Sequence, residues 1–280
     1  MNLSVEEFSF VSELVRAEAA IVLEQGKEYL VTSRLGPLAK REGFETLGAL
    51  IATLRQNQFG PLREKVVDAM TTNETSFFRD ITPFEVLKKT VLPDLIEKRR
   101  AEKKLALWCA ASSSGQEPYS VAMLIKENFP ELATWSLSFI ATDYSKEMLA
   151  QAKNGVYNQA AVNRGLPAKY LVRYFEKHGT DWQVKQEIRS MIQYRELNLV
   201  KPFTGIGRVD IVFIRNVLIY FEPEIKRQIF GKVHGVLKSD GYLFLGGAET
   251  PLNLDDRFVR AAAGGTVLGG GCYSLKGEQK

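Results

Sequence analysis

Five polar residues stand at or shortly beyond the ends of expected strands, and that placement gives the chain its chemical reading. Glu117 follows LALWCA by a few small residues, Asp143 ends LSFIATD, Asn198 lies in ELNL, and Arg215 with Asn216 closes VDIVFIRN. In an open parallel sheet, ligands bind beyond the carboxyl ends of the strands, where the loops part around a reversal of strand order. An acid there suits ribose hydroxyls. The loop between LALWCA and Glu117 holds one glycine, without the G-x-G-x-x-G spacing of a dinucleotide fingerprint or the G-K-[ST] ending of a phosphate loop. A carboxylate at Glu117 also repels phosphate and attracts cationic groups. The expected ligand is a nucleoside-containing cofactor without phosphates, which disfavours NAD and nucleoside triphosphates.

Each of these residues also has a plain structural use. Asp143 precedes YSKEMLAQA and suits a helix cap. Glu117 stands before Pro118 at a helix start, where an acid complements the dipole. Arg215 suits a structural salt bridge, Tyr220 suits packing inside VLIYF, and Phe77 with Phe78 suit an anchoring segment.

The elements that must position these groups follow from hydrophobic period. Residues 1–70 read as a small helical domain: Phe8, Val11, Leu14, Val15, Ala19 and Val22 recur at three- and four-residue intervals. Pro37 and Gly43 are expected to break the next segments, and Pro61 to open a helix at its first turn. Residues 71–280 change period. There LALWCA, LSFIATD, VDIVFIRN and GYLFLGG alternate with helical patterns around 118–128, 145–153 and 223–237, which predicts an α/β fold with a mostly parallel sheet covered on both faces. The rhythm lapses between about 157 and 200. Two short strands, 182–184 and 191–195, joined by a tight connection, are expected there as a small antiparallel excursion.

Composition narrows the rest. At 280 residues with 45% hydrophobic and 25% charged residues, the chain reads as a globular protein. No apolar run is long enough to span a bilayer, and MNLSVEEFSF begins acidic where a secretory leader would be basic. With two cysteines, Cys109 and Cys272, and two histidines, His178 and His234, neither a disulfide framework nor a structural metal is expected. Such cysteine usage suits reducing cytoplasm. The basic run at 88–104 reads as a solvated helix surface, since a nucleic-acid face would be wider and interleaved with aromatics.

The blocks TTNETSFFRD, LWCAASSSGQEPYSVAM, ATDYSKEMLAQA, ELNL and IVFIRNVLIYFEPE together resemble the chemotaxis receptor methyltransferase family, CheR, in that family's order over essentially the whole chain. The resemblance implies a helical N-terminal domain and a Rossmann-like domain that binds S-adenosylmethionine and releases S-adenosylhomocysteine, with a small β-subdomain inserted at about 170–195. It implies methyl-ester formation on glutamates in the cytoplasmic helical domains of chemoreceptors, without a metal, and recruitment to membrane-bound receptor arrays. By position, Asn73, Thr75, Arg79, Glu117, Asp143, Asn198, Leu199, Arg215 and Asn216 match cofactor contacts, and Arg79 with Tyr220 match residues near the reacting methyl. Members that tether to a receptor C-terminal peptide have a longer loop than EKHGTDW provides, so independence of that tether is expected. A methyltransferase for another substrate and a non-catalytic cofactor-sensing or docking protein are the rival readings.

Overall fold

The computed structural model describes residues 3–57 and 59–277. They form two compact units, one comprising residues up to Thr72 together with Tyr220–Ile225, the other Asn73–Ile219 with the chain from Lys226 onward.

The first unit is helical. Helix α1 (Val5–Ala19) opens on a capping box: Ser4 N–H donates to the Glu7 carboxylate at 2.8 Å, and Glu7 N–H donates to Ser4 Oγ at 3.1 Å. It buries Phe8, Val11, Leu14, Val15 and Ala19. Val22, expected on the same stripe, lies beyond the helix, because Ala20 turns left-handed at φ +56° and ends it. Helix α2 (Glu28–Arg41) runs through Pro37 where a break was expected. Proline removes one helical donor, and here Leu35, Leu38 and Ala39, all within 2% exposure, hold the two halves in one core. The expected stop does occur after Arg41, with Gly43 at φ +83°. Helices α3 (Leu47–Gln56) and α4 (Pro61–Met70) follow, the first capped by Thr46 and the second opened by Pro61.

The second unit is built on a seven-stranded sheet. In chain order its strands and those of two smaller sheets are β1 (Lys104–Ala110), β2 (Ser136–Asp143), β3 (Val156–Tyr157), β4 (Phe175–His178), β5 (Asp181–Val184), β6 (Gln193–Glu196), β7 (Val209–Ile214), β8 (Leu237–Leu245), β9 (Phe258–Arg260), β10 (Ala262–Ala263), β11 (Thr266–Val267) and β12 (Cys272–Leu275). The main order is β6-β2-β1-β7-β8-β12-β9. The strands from β6 to β8 pair in parallel, and β12 pairs antiparallel to both β8 and β9. Strand order reverses beside β1, so the loops leaving β1 and β7 part there. Leu105, Leu107 and Cys109 face one core with Phe139, Ile211 and Phe213. Trp108 turns the other way, its ring 4.8 Å from that of Phe203. This period of two, with both sets buried, is what a sheet covered on both faces requires.

Two expectations change. The segment 191–195 does not pair with 182–184: Gln193–Glu196 joins the main sheet parallel to β2, and Asp181–Val184 pairs antiparallel with β4 and β3. The reason is the two-residue turn Gly179–Thr180, with Gly179 at φ +62°, which closes a hairpin between His178 and Asp181. Nor is the basic run at 88–104 wholly a solvated surface. Arg99 is buried, with Nε donating to Asp210 at 2.9 Å and its two terminal nitrogens donating to Asp240 at 2.9 and 2.6 Å. Asp210 also accepts from Ala106 N–H at 2.8 Å and from Lys238, tying β1, β7 and β8 at their amino ends. Among the described residues no helix is long and apolar enough to cross a membrane.

Candidate cofactor and catalytic site

At the opposite, carboxyl ends of β1, β2 and β7, the loop after β1 bends sharply. Ala111, Ser113 and Gly115 take positive φ values of 52°, 49° and 94°. Left-handed backbone is costly for residues with a Cβ and concentrates where function fixes the chain. At Gly115 a Cβ would lie 2.9 Å from Ala152 Cβ, so only glycine lets the loop approach the helix Lys146–Asn154 this closely. Asp143 braces the loop: one carboxylate oxygen accepts from Ser113 N–H at 2.7 Å and the other from Ser145 N–H at 2.9 Å. The cap of the following helix is Ser145, whose Oγ accepts from Met148 N–H. Asp143 is thus not the cap itself but a buried acid joining the ends of β1 and β2.

The helix Gln116–Asn128 begins immediately after this loop and carries Glu117 in its first turn. Arg215 Nη1 donates to Glu117 Oε2 at 2.7 Å, while its Nη2 donates to the Asp80 carboxylate at 2.7 Å and the Arg79 carbonyl at 3.0 Å. Burial pushes the Glu117 carboxyl above its ordinary range, and the Arg215 cation opposes that rise. One guanidinium therefore joins the end of β7, the start of this helix and the segment that precedes the sheet.

That segment, Asn73–Asp80, crosses the same strand ends. Ser113 Oγ donates to the Asn73 carbonyl at 2.8 Å, and Phe78 N–H donates to Ser120 Oγ at 2.9 Å. Arg79 Nη1 donates to the Glu74 carbonyl at 2.9 Å. Phe77 and Phe78 are buried anchors: Phe77 meets Tyr157 and Phe175 edge-on at 5.1 and 5.6 Å, and Phe78 stacks on Tyr170 at 5.0 Å. Tyr157 in turn donates from its hydroxyl to the Ser114 carbonyl. Thr75 is half-buried in the same segment.

The structure brings Asn73, Arg79, Glu117, Asp143 and Arg215 together around these strand ends through the contacts above, and Asn216 follows Arg215 directly in the chain. Asn198 follows close by, because Leu197 N–H donates to the Asp143 carbonyl at 3.0 Å; its side-chain oxygen accepts from Val200 N–H, and Leu199 is buried. Tyr220 belongs to the other compact unit, where its carbonyl accepts from Val22 N–H. Two residues went unread in the sequence. Asp80 completes the grip on Arg215, and its only signal is its place next to Arg79. Glu249 accepts backbone hydrogen bonds from the turn after β7, and the signal available was an acid following the glycine pair that ends GYLFLGG.

Two buried polar atoms at these strand ends, Ser112 Oγ and Arg215 Nε, have no protein partner among the described residues. Buried polar groups are normally paired, so a ligand bearing both donors and acceptors fits here. The surrounding acids suit ribose hydroxyls and a cationic centre, as S-adenosylmethionine carries.

Residues 6–71 match the family model described as CheR methyltransferase, all-alpha domain, and residues 73–264 match that described as CheR methyltransferase, SAM binding domain. A chemotaxis protein methyltransferase 1 of Pseudomonas aeruginosa is 47% identical over 263 residues, covering 92% of this chain and 95% of the relative. The chemotaxis protein methyltransferase Cher2 of Pseudomonas putida is 44% identical, covering 92% and 94%. A chemotaxis protein methyltransferase of Vibrio parahaemolyticus is 40% identical and covers 99% of both chains. With a matched S-adenosylmethionine-binding domain on a mainly parallel sheet and a matched helical domain before it, the chain belongs to the CheR methyltransferase family.

Proposed function

We propose that the protein methylates glutamate side chains in the cytoplasmic helical domains of chemoreceptors, forming methyl esters. The observation that carries this reading is the match of residues 73–264 to the CheR SAM binding domain, with Glu117 and Asp143 gathered at the strand ends of that domain. The relatives' names as chemotaxis methyltransferases supply the substrate class.

When bound, S-adenosylmethionine supplies an electrophilic methyl group on a sulfonium. Asn73, Thr75, Arg79, Glu117, Asp143, Asn198, Leu199, Arg215 and Asn216 are the residues assigned to hold it. A glutamate nucleophile has a reference pKa of about 4.3 and is ionised near neutral pH, so the protein need not remove a proton. Its work is to align two reactants and exclude water, which lowers a barrier by prepaid entropy. Arg79 offers directional donors to a carboxylate, and Tyr220 is the second residue that the family resemblance assigns to catalysis. The assigned domains are helical residues 1–70 and catalytic residues 71–280, the latter with a β-subdomain at about 170–195. The short hairpin turn at Gly179–Thr180 favours a protein that works without a receptor tether peptide. The proposed location is cytoplasm, at receptor arrays.

Arg79→Ala is expected to lower turnover by roughly 10- to 100-fold, the worth of one charge-assisted hydrogen bond. Steady-state kinetics with a methyl-accepting receptor domain check it; an unchanged turnover number would remove Arg79 from the reaction.

A further inference from the structure

The turn that follows β7 is held by a single buried side chain. Glu249 Oε2 accepts from Asn216 N–H at 2.8 Å and Gly246 N–H at 2.7 Å, and Oε1 accepts from Val217 N–H at 2.9 Å and Leu218 N–H at 2.7 Å. A carboxylate has about four lone-pair sites, and these four donors use them all. None is left for substrate, which separates Glu249 from the groups that bind or react. The turn it organises starts directly after Arg215 and begins with Asn216, a non-glycine residue at φ +59°. Such a conformation persists only where the surroundings over-determine it.

The carboxylate is itself fixed. Glu249 N–H donates to the Gly246 carbonyl at 2.9 Å, closing a reverse turn at the end of β8 on which the side chain folds back to Gly246 N–H. Gly246 has no room for a side chain: a Cβ there would lie 2.7 Å from Glu249 Oε2 and 2.9 Å from Asn216 N. Three successive amides after β7 and one after β8 thus converge on one acid that is 6% exposed.

We propose that Glu249 is a positioning residue for the S-adenosylmethionine site, its carboxylate fixing the turn Asn216–Leu218 and thereby the direction in which Arg215 and Asn216 are presented. The inference rests on those two residues facing the cofactor, but not on which substrate is methylated. Glu249→Gln keeps size and one acceptor oxygen while turning an amide N–H₂ toward two of the backbone donors, so half the clamp becomes repulsive.

The test uses the full chain and S-adenosylhomocysteine as probe, with hydrogen exchange read by mass spectrometry and affinity by calorimetry. In the unsubstituted protein, slow exchange is expected for the amides of Asn216, Val217, Leu218 and Gly246; fast exchange there would overturn the clamp. In E249Q those amides should exchange faster while β1 is unchanged, and S-adenosylhomocysteine should bind about tenfold or more weakly, the worth of roughly one charge-assisted hydrogen bond. Ile229→Val, trimming a fully buried side chain of the helix Pro223–Val236, serves as a core control and should leave affinity unchanged. Equal loss of affinity in both variants, or unaltered affinity in E249Q, would reduce Glu249 to a fold residue. Should E249Q fail to fold, Gly246→Ala attacks the same clamp from the other side and must weaken binding of the same probe; unaltered affinity there overturns the proposal equally.

Discussion

Arg215→Ala is expected to destabilise the protein by about 3–5 kcal/mol, the usual cost of stripping one partner from a buried ion pair. The Arg215 side chain is 1% exposed and that of Glu117 12%, so little water is available to replace the lost cation. Asp80, whose side chain is 52% exposed, is rehydrated and adds little to this cost. Arg79 loses the donor that holds its carbonyl. The double variant R215A/E117Q should recover part of the stability, because it removes the charge that has been left alone.

The pH dependence has a definite sign. Burial raises the folded-state pKa of Glu117 above the ordinary carboxylate range, so the folded state takes up a proton more readily than the unfolded chain. Its contribution to stability is therefore complete below the ordinary carboxylate range and is lost as pH rises through the raised value. Removing Arg215 takes away the opposing effect and strengthens the rise. Urea unfolding from acidic to neutral pH should show R215A least harmed at the acid end, while E117Q lacks this contribution to the slope. A uniform deficit at all pH values would contradict the pairing of Glu117 with Arg215.

Asp143→Ala should carry the second large effect, on affinity. The acid satisfies two backbone donors at 2.7 and 2.9 Å and fixes the strained loop after β1. Hydrogen bonds to charged groups contribute about 1.5–3 kcal/mol each, so S-adenosylhomocysteine is expected to bind about 100-fold more weakly once loop order and any ribose contact are both lost. Asp143→Asn, which keeps one acceptor, should fall between. Calorimetric titration checks this, and native affinity in D143A would dismiss the acid from the site.

The placement of Glu117, Asp143 and Arg215 was legible because hydrophobic runs of strand length end where polar residues begin, and a parallel sheet brings those ends to one edge. What escaped was the set of pairings made between distant segments. Trp182 and the residues after Met191 both alternate; the turn at Gly179–Thr180 is the local cue that joins the first to β4, but nothing local says that the second crosses to β2. Arg99 sits in a run of lysines and arginines, and only the approach of Asp210 and Asp240, from strands far along the chain, makes it a buried cation. Pro37 misled for a related reason, since the core around Leu35 and Leu38 outweighs the single donor it withholds. Glu249 offered only the cue of an acid shortly after the glycine pair of GYLFLGG, since the amides it gathers after β7 lie about thirty residues earlier in the chain.

The most direct measurement is methyl transfer itself. The protein is incubated with S-adenosylmethionine labelled in its methyl group and with chemoreceptor cytoplasmic domains from the same organism, and receptor-bound label is then tested for release by alkali. The expected result is alkali-labile label on the receptor, absent when the modified glutamates are replaced by alanine and strongly reduced with R79A. Label that resists alkali, or none on any receptor while S-adenosylhomocysteine binds normally, would contradict glutamate methyl-ester formation.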